Sequence, residues 1–154
     1  MIAFPDTSFL CALHVRQDNS LAAARHFESL PGPLTVSSLL LYEFRQSVRF
    51  QIWLHGRDRT RGYARGVAEA ALANLERNLD DGALQLLPVE WQEVHQLAEG
   101  LSKRHTVAGG HRSLDLLHVA TALHLGAREF LSFDLNQRRV ALLEKLKVKP
   151  AGER

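Results

Sequence analysis

The chain has little of what several protein classes require. Its one cysteine, Cys11, can form neither an internal disulfide nor a cysteine-rich zinc site, and this points to a reducing, cytoplasmic setting. No run of about 18 uninterrupted apolar residues is present, so no membrane-spanning helix is expected. The start, Met-Ile-Ala-Phe-Pro-Asp, reaches a carboxylate at once and lacks the basic leader of a secretory signal. Gly-x-Gly-x-x-Gly, the Walker loop and the Gly-x-Ser-x-Gly elbow are all missing, which excludes the common dinucleotide, nucleoside-triphosphate and serine-hydrolase signatures. The eight histidines are never three or four residues apart, as a helical zinc site would need. A net charge of only +2 is too small to argue for nucleic acid, so the distribution of charge matters more than its sum.

What remains is ordinary for a globular domain. The 154 residues are 45% hydrophobic and 23% charged, and a chain of this length buries roughly 70% of its unfolded surface. Proline and glycine mark the joints. Ile2–Pro5 reads as a buried strand, with a helix starting at Thr7. Leu21–Leu30 has helical spacing and is closed by Pro31-Gly32-Pro33. Leu34–Val36 is a second strand, and Ser37 is placed to cap a helix running to about His55. Val67–Leu79 is helical, Ala83–Val89 is a third strand and Trp91–Arg104 a further helix. Beyond Gly109-Gly110, Ser113–Leu125 is an apolar helix, Glu129–Phe133 a fourth strand, Leu135–Leu146 the last helix and Lys147–Lys149 an edge strand. Alternating strands and helices imply a parallel sheet with helices on both faces. No repeat, low-complexity tract or linker divides the chain, so residues 1–150 are expected to form one domain, with 151–154 as a tail.

The carboxylates carry the chemistry. Ligands of an open parallel sheet bind at the carboxyl ends of its strands, and Asp6 and Asp134 directly follow the first and fourth strands. Asp115 lies in the first turn of a helix, and Glu43 about two turns into the helix after the second strand. Each has a plainer explanation. Asp6 could cap the helix at Thr7, Asp134-Leu-Asn-Gln137 reads as a capping box, and Asp115 could simply favour the helix dipole. Two resist it. Asp115 sits in Leu114-Asp115-Leu116-Leu117-His118-Val119-Ala120, apolar almost all round, and Glu43 shares a face with Leu39 and Phe50. A buried carboxylate must be neutralised, paired or placed on a metal. Several together call for a cation, and a hard ion such as Mg²⁺ or Mn²⁺ matches oxygen ligands.

Taken in order, Asp6-Thr7-Ser8-Phe9-Leu10, Tyr42-Glu43-Phe44, Leu114–Leu123 and Phe130-Leu131-Ser132-Phe133-Asp134 resemble the four acidic motifs of the PIN-domain ribonucleases. The compact length and the Asp-Leu-Leu-His-Val-Ala-Thr-Ala-Leu run look most like the VapC-type toxins of type II toxin–antitoxin pairs. The resemblance spans Ile2 to about Val148. It is most specific around Asp115 and Asp134, whereas Glu43 rests on order and helix position. It implies a three-layer α/β/α sandwich with a central parallel sheet of four to five short strands. It also implies Mg²⁺- or Mn²⁺-dependent hydrolysis of RNA phosphodiesters, leaving a 5′-phosphate and a 3′-hydroxyl. Asp6, Glu43, Asp115 and Asp134 would be the catalytic, metal-binding acids, supported by Ser8 and Ser132. One departure stands out: many PIN domains carry another acid two residues after the last Asp, where this chain has Asn136.

From Arg45 to Arg65 the chain carries six arginines against Asp58 alone. Arg57, Arg59 and Arg61, with Arg112 beside the Asp115 helix, are the candidates for phosphate contacts to single-stranded or structured RNA; a solvated helix connection is the plainer explanation for the run. His118 shares a helix face with Asp115 and is expected to pack and hydrogen-bond. Trp53 and Trp91 are expected in the core or an interface. The resemblance further implies a small antitoxin partner and a homodimer, for which Tyr42, Phe44, Phe50 and Trp53 could supply an apolar surface. A haloacid-dehalogenase-type phosphatase would need a second Asp where Ser8 stands, and a receiver domain would need an acidic neighbour to Asp6. The remaining alternative is a catalytically silent PIN-like module that binds RNA or protein.

Overall fold

The computed structural model describes residues 1–151; residues 152–154 of the expected tail lie outside it. Five short strands, β1 (Ala3–Pro5), β2 (Leu34–Val36), β3 (Leu84–Leu86), β4 (Glu129–Leu131) and β5 (Lys147–Lys149), alternate with helices. These are α1 (Thr7–His14), α2 (Ser20–Glu28), α3 (Ser38–Arg57), α4 (Arg65–Asp80), α5 (Trp91–Leu101), α6 (Val107–Gly109), α7 (Ser113–His124) and α8 (Leu135–Leu143). All strand pairs are parallel. No helix among the described residues is long and apolar enough to cross a membrane.

The α/β architecture agrees with the sequence expectation, but the sheet is divided. Hydrogen bonds join β1, β4 and β5 into one sheet and β2 and β3 into another, so the main sheet has three strands and not four to five. Backbone chemistry explains the division. Ile2 accepts from Arg128 N–H and Asp6 N–H donates to Leu131, so the even-numbered residues of β1 face β4 and the odd ones face β2. Pro5 is one of those odd residues and has no N–H to offer, which removes a donor from that edge. β2 therefore lies beside β1 without a ladder.

The helices begin where the punctuation suggests. Asp6, Ser37 and Asp134 each cap their helix by accepting a backbone N–H three residues on. On α3 the buried face is Leu40, Leu41, Phe44 and Val48, at the 3–4 residue spacing of an amphipathic helix. Phe4, Phe9, Phe44 and Phe130 are fully buried within one hydrophobic cluster that extends from Ala3 to Leu146. Boundaries shift modestly. The helix expected over Trp91–Arg104 leaves α geometry at Leu101 and continues as a π-helical turn, Ser102–Thr106. The last helix stops at Leu143, short of Leu146, because Lys145 adopts a left-handed conformation with φ of 66°.

Candidate active site

Parallel pairing decides where the acids stand. Pro5 pairs with Leu131, so Asp6 and Ser132, the next residues of adjacent strands, emerge at the same end of the sheet. A helix that follows a strand starts at that strand's carboxyl end, which places the first half of α3 and its Glu43 there. A helix that leads into a parallel strand starts at the same end, which brings in Asp115 at the start of α7.

Asp6 is fully buried. Its Oδ1 accepts from Phe9 N–H at 2.9 Å and from the Ser8 hydroxyl at 2.6 Å, and its Oδ2 accepts from the Ser132 hydroxyl at 2.5 Å. The same two hydroxyls tie the carboxyl end of β4 to this centre, Ser8 accepting from Phe133 N–H and Ser132 from Asp134 N–H, both at 2.9 Å. Among the described residues no lysine or arginine bonds to Asp6. Burial pushes its pKa up from 3.8 to about 6, against the lowering by Ser132, Ser8, the Phe9 amide and the charge of His118.

Asp134, half-buried, caps α8 through Gln137 N–H at 2.9 Å. The capping box predicted from sequence is only half made. The Gln137 side chain turns away from the Asp134 amide and donates to Asp115 Oδ1 at 3.3 Å, while Ser132 takes the amide. Asp115 is 8% exposed, as the apolar α7 pattern requires, and its Oδ2 meets Arg112 Nε at 3.4 Å. Ser132 and Gln137 thus link Asp6, Asp134 and Asp115 in one path.

Glu43 reaches the site from α3 but is held differently. Its Oε2 accepts from the Thr7 hydroxyl at 2.6 Å and contacts Nε2 of the fully buried His118. Desolvation pushes the Glu43 carboxyl up, but the hydrogen bond and charge of His118, with the Thr7 hydroxyl, outweigh it and keep the pKa below the ordinary value. His118 therefore has the packing and hydrogen-bonding role expected of it. Cys11 lies near both Asp6 and Glu43. Burial first, then those two charges, push its thiol up to about 12, so it is no nucleophile.

The donor chemistry suits a hard divalent cation: only oxygen ligands, one of them a buried carboxylate without a basic partner. The four acids do not, however, form a ready cage. Among the described residues no three His, Cys, Asp or Glu side chains come together closely enough to hold an ion. Neutral donors from Ser8, Ser132, Thr7 and Gln137 sit on the carboxylates and spread them, since like charges 3–4 Å apart repel. The residues fit the ion by type, with Asp6, Asp134 and Asp115 joined through Ser132 and Gln137 and Glu43 turned toward His118.

Thr7 and Gln137 were not singled out as site residues from sequence. Gln137 was legible only as a capping residue, and Thr7 carries no signal beyond its place next to Asp6. Asn136, in the position where many PIN domains have an acid, is exposed. The basic candidates separate. Arg112, with 81% of its side chain exposed, stands beside Asp115. Arg57 lies 14 positions after Glu43 on α3, about 21 Å along the axis at 1.5 Å per residue, and Arg59 and Arg61 follow it in the exposed loop. Arg57, Arg59 and Arg61 are therefore not gathered at the acids. Phe44 is wholly buried, which assigns it to core packing and not to a dimer surface, and Trp53 is 50% exposed, which removes the core half of its expectation and leaves the interface half. Trp91 packs against the core as expected.

A parallel α/β domain that collects carboxylates at the carboxyl ends of its strands belongs to the class whose sites lie at that edge of the sheet. The family model for the PIN domain matches residues 3–143, and the chain belongs to that family. Among solved structures, it is similar to VapC20 of Mycobacterium tuberculosis, described as a sarcin–ricin loop cleaving toxin. That match has a TM-score of 0.64 and 22% identity over 96% of this chain and 99% of the other. It is also similar to VapBC2 from Rickettsia felis, solved with a DNA fragment of its promoter, at TM-score 0.67 and 15% identity over 97% and 98% of the two chains. VapBC-1 of nontypeable Haemophilus influenzae aligns at TM-score 0.62 and 16% identity over 97% of each. Comparison of the sequence with curated proteins finds no match.

Proposed function

We propose that this protein is a Mg²⁺- or Mn²⁺-dependent endoribonuclease acting as the toxin of a toxin–antitoxin pair. The observation that carries the reading is the path Asp6–Ser132–Asp134–Gln137–Asp115 at the carboxyl ends of β1 and β4. It is headed by a fully buried carboxylate with no basic partner among the described residues. Membership of the PIN family and likeness to VapC folds support it.

Asp6, Asp115 and Asp134 would hold the ion, with Glu43 joining by leaving His118. The ion, when bound, supplies activation of water and neutralisation of charge at the scissile phosphate. The chain's own residues do the rest. Ser8 and Ser132 fix the Asp6 carboxylate from both oxygens, Gln137 keeps Asp115 turned toward Asp134, and Arg112 at the rim meets the phosphate backbone. No side-chain nucleophile is needed. A small antitoxin protein and a second copy of this chain are the expected partners, in a cytoplasmic setting.

The test is incubation with a panel of single-stranded and structured RNAs in Mg²⁺, Mn²⁺ or EDTA, beside Asp6→Asn. Cuts that leave 5′-phosphates, need the metal and disappear in the variant are expected. Glu43 already paired with His118 favours one other reading, a silent binding module. That reading would gain if calorimetry detected no Mg²⁺ or Mn²⁺ binding and no RNA were cut.

A further inference from the structure

The far end of α3 carries a feature that the acid cluster does not use. Phe50 and Trp53, one turn apart and about half exposed, stack with ring centroids 5.3 Å apart and planes 23° from parallel. The Arg57 guanidinium covers the indole at 4.3 Å from its centroid. Trp53 and Arg57 border an open cavity of about 820 Å³; among the described residues its other arginines are Arg49, Arg59 and Arg65, and no acid lines it. Of the nearby carboxylates, Asp58 is occupied by the Thr60 amide and hydroxyl at 2.9 and 2.6 Å, and Glu69, one turn after Arg65, meets that guanidinium at 3.7 Å with both side chains largely exposed.

The basic loop is folded back on the helix. Tyr63 N–H donates to the Gln51 carbonyl at 3.1 Å, and the His55 ring meets the Arg61 carbonyl at 3.0 Å. Gly62, at φ of 67°, lies so close that a Cβ would run into the Gln51 carbonyl oxygen. The loop that carries Arg59 and Arg61 is thus held against α3 by the backbone.

We propose that this surface is a stacking platform for an unpaired nucleobase of single-stranded RNA, a second contact remote from the acids. This deepens the nuclease reading and rests on it. An incoming base replaces Arg57 on the indole, because an exposed cation–π contact is the weaker of the two stacks. The released guanidinium, with its arginine neighbours, then meets the adjoining phosphates. Position agrees with this. Phe50 is seven residues after Glu43, so it falls on the same face of α3, about 10 Å along the axis. A strand lying on the acids and running along α3 reaches the platform. Charge decides against a second copy of this chain as the occupant, because an isologous contact would bring two sets of arginines together.

The experiment uses a short labelled single-stranded RNA, and the same RNA annealed to its complement, with Asp6→Asn protein so that nothing is cut. Trp91→Phe leaves Trp53 as the sole indole. Single-stranded RNA should quench its fluorescence. Trp53→Ala should weaken single-strand binding about tenfold and leave the dependence on salt unchanged, since stacking releases no counterions. Arg57→Gln should instead lower the salt slope by about one. In the cleaving protein Trp53→Ala should raise KM with little change in kcat. Unaltered single-strand affinity in Trp53→Ala would overturn the platform while leaving the nuclease intact. So would a dimer that dissociates on this substitution, which would make the face a self-association surface. A parent protein that neither binds nor cuts RNA would instead sink the nuclease reading itself.

Discussion

Asp6 shows how one residue serves stability and chemistry with opposite signs. Its carboxylate caps α1, which favours the charged form, yet its burial penalises that form more, and the pKa rises from 3.8 to about 6. The folded, metal-free protein thus holds a proton here more tightly than the unfolded chain. The associated stability is complete below about pH 4 and is lost as the pH rises through 6. Asp6→Asn removes that loss. In EDTA at pH 7.5 the variant should be more stable than its parent by on the order of 2–3 kcal/mol, whereas at pH 4 the two should unfold alike. Urea titrations at the two pH values decide, and a variant weaker than its parent at pH 7.5 would refute the burial argument. The residue proposed to be indispensable for cleavage is thus expected to be the one the metal-free fold would do better without.

Asp134 makes the corresponding point for an element. It caps α8 with its side chain and offers its carboxylate to the site, and substitution can separate the two roles. Asp134→Ser keeps an oxygen for the Gln137 amide and should fold with stability near that of the parent, whereas Asp134→Ala should lose about 1 kcal/mol. Both should lose cleavage, because neither supplies a carboxylate. Thermal melts beside an RNA cleavage assay check this, and cleavage retained by the serine variant would reduce Asp134 to a cap. The starts of α1, α3 and α8 were legible in the sequence because a cap is a local device: Asp6, Ser37 and Asp134 reach amides only three residues away. The π-helical turn at Ser102–Thr106 was not legible. Nothing in Ser-Lys-Arg-His-Thr opposes α geometry, and residues distant in sequence, such as Glu144 bonding Arg104 and His105, sit against that turn.

For the whole molecule, the proposed cation would be a source of added stability. An ion at a hundred times its dissociation constant adds about 2.7 kcal/mol to a one-site protein, which for a chain of this size raises Tm by roughly 5–10 °C. Mg²⁺ or Mn²⁺ should therefore shift the melting curve of the parent and leave that of Asp115→Asn in place. A shift of equal size in both would locate the ion elsewhere. Because the carboxylates are spread by neutral donors, binding must also gather them, so the affinity is expected to fall below that of a preformed site.

The sequence by itself determined the alternation of strands and helices and the caps, and it marked Asp115 and Glu43 as acids on apolar helix faces that could not be buried alone. These follow from local spacing and from the cost of an unpaired charge. Only the tertiary structure decided which neutral groups hold those acids. Ser132 meets Asp6 because Pro5 and Leu131 are in register, Gln137 crosses to Asp115 because α7 and α8 pack together, and His118 takes Glu43 across 75 residues of chain. It also set the arginines at the far end of α3 and left Trp53 at the surface, where helical spacing alone had allowed either core or interface. Periodicity reports which residues share a face of a helix. What covers that face is settled by elements far away in the chain.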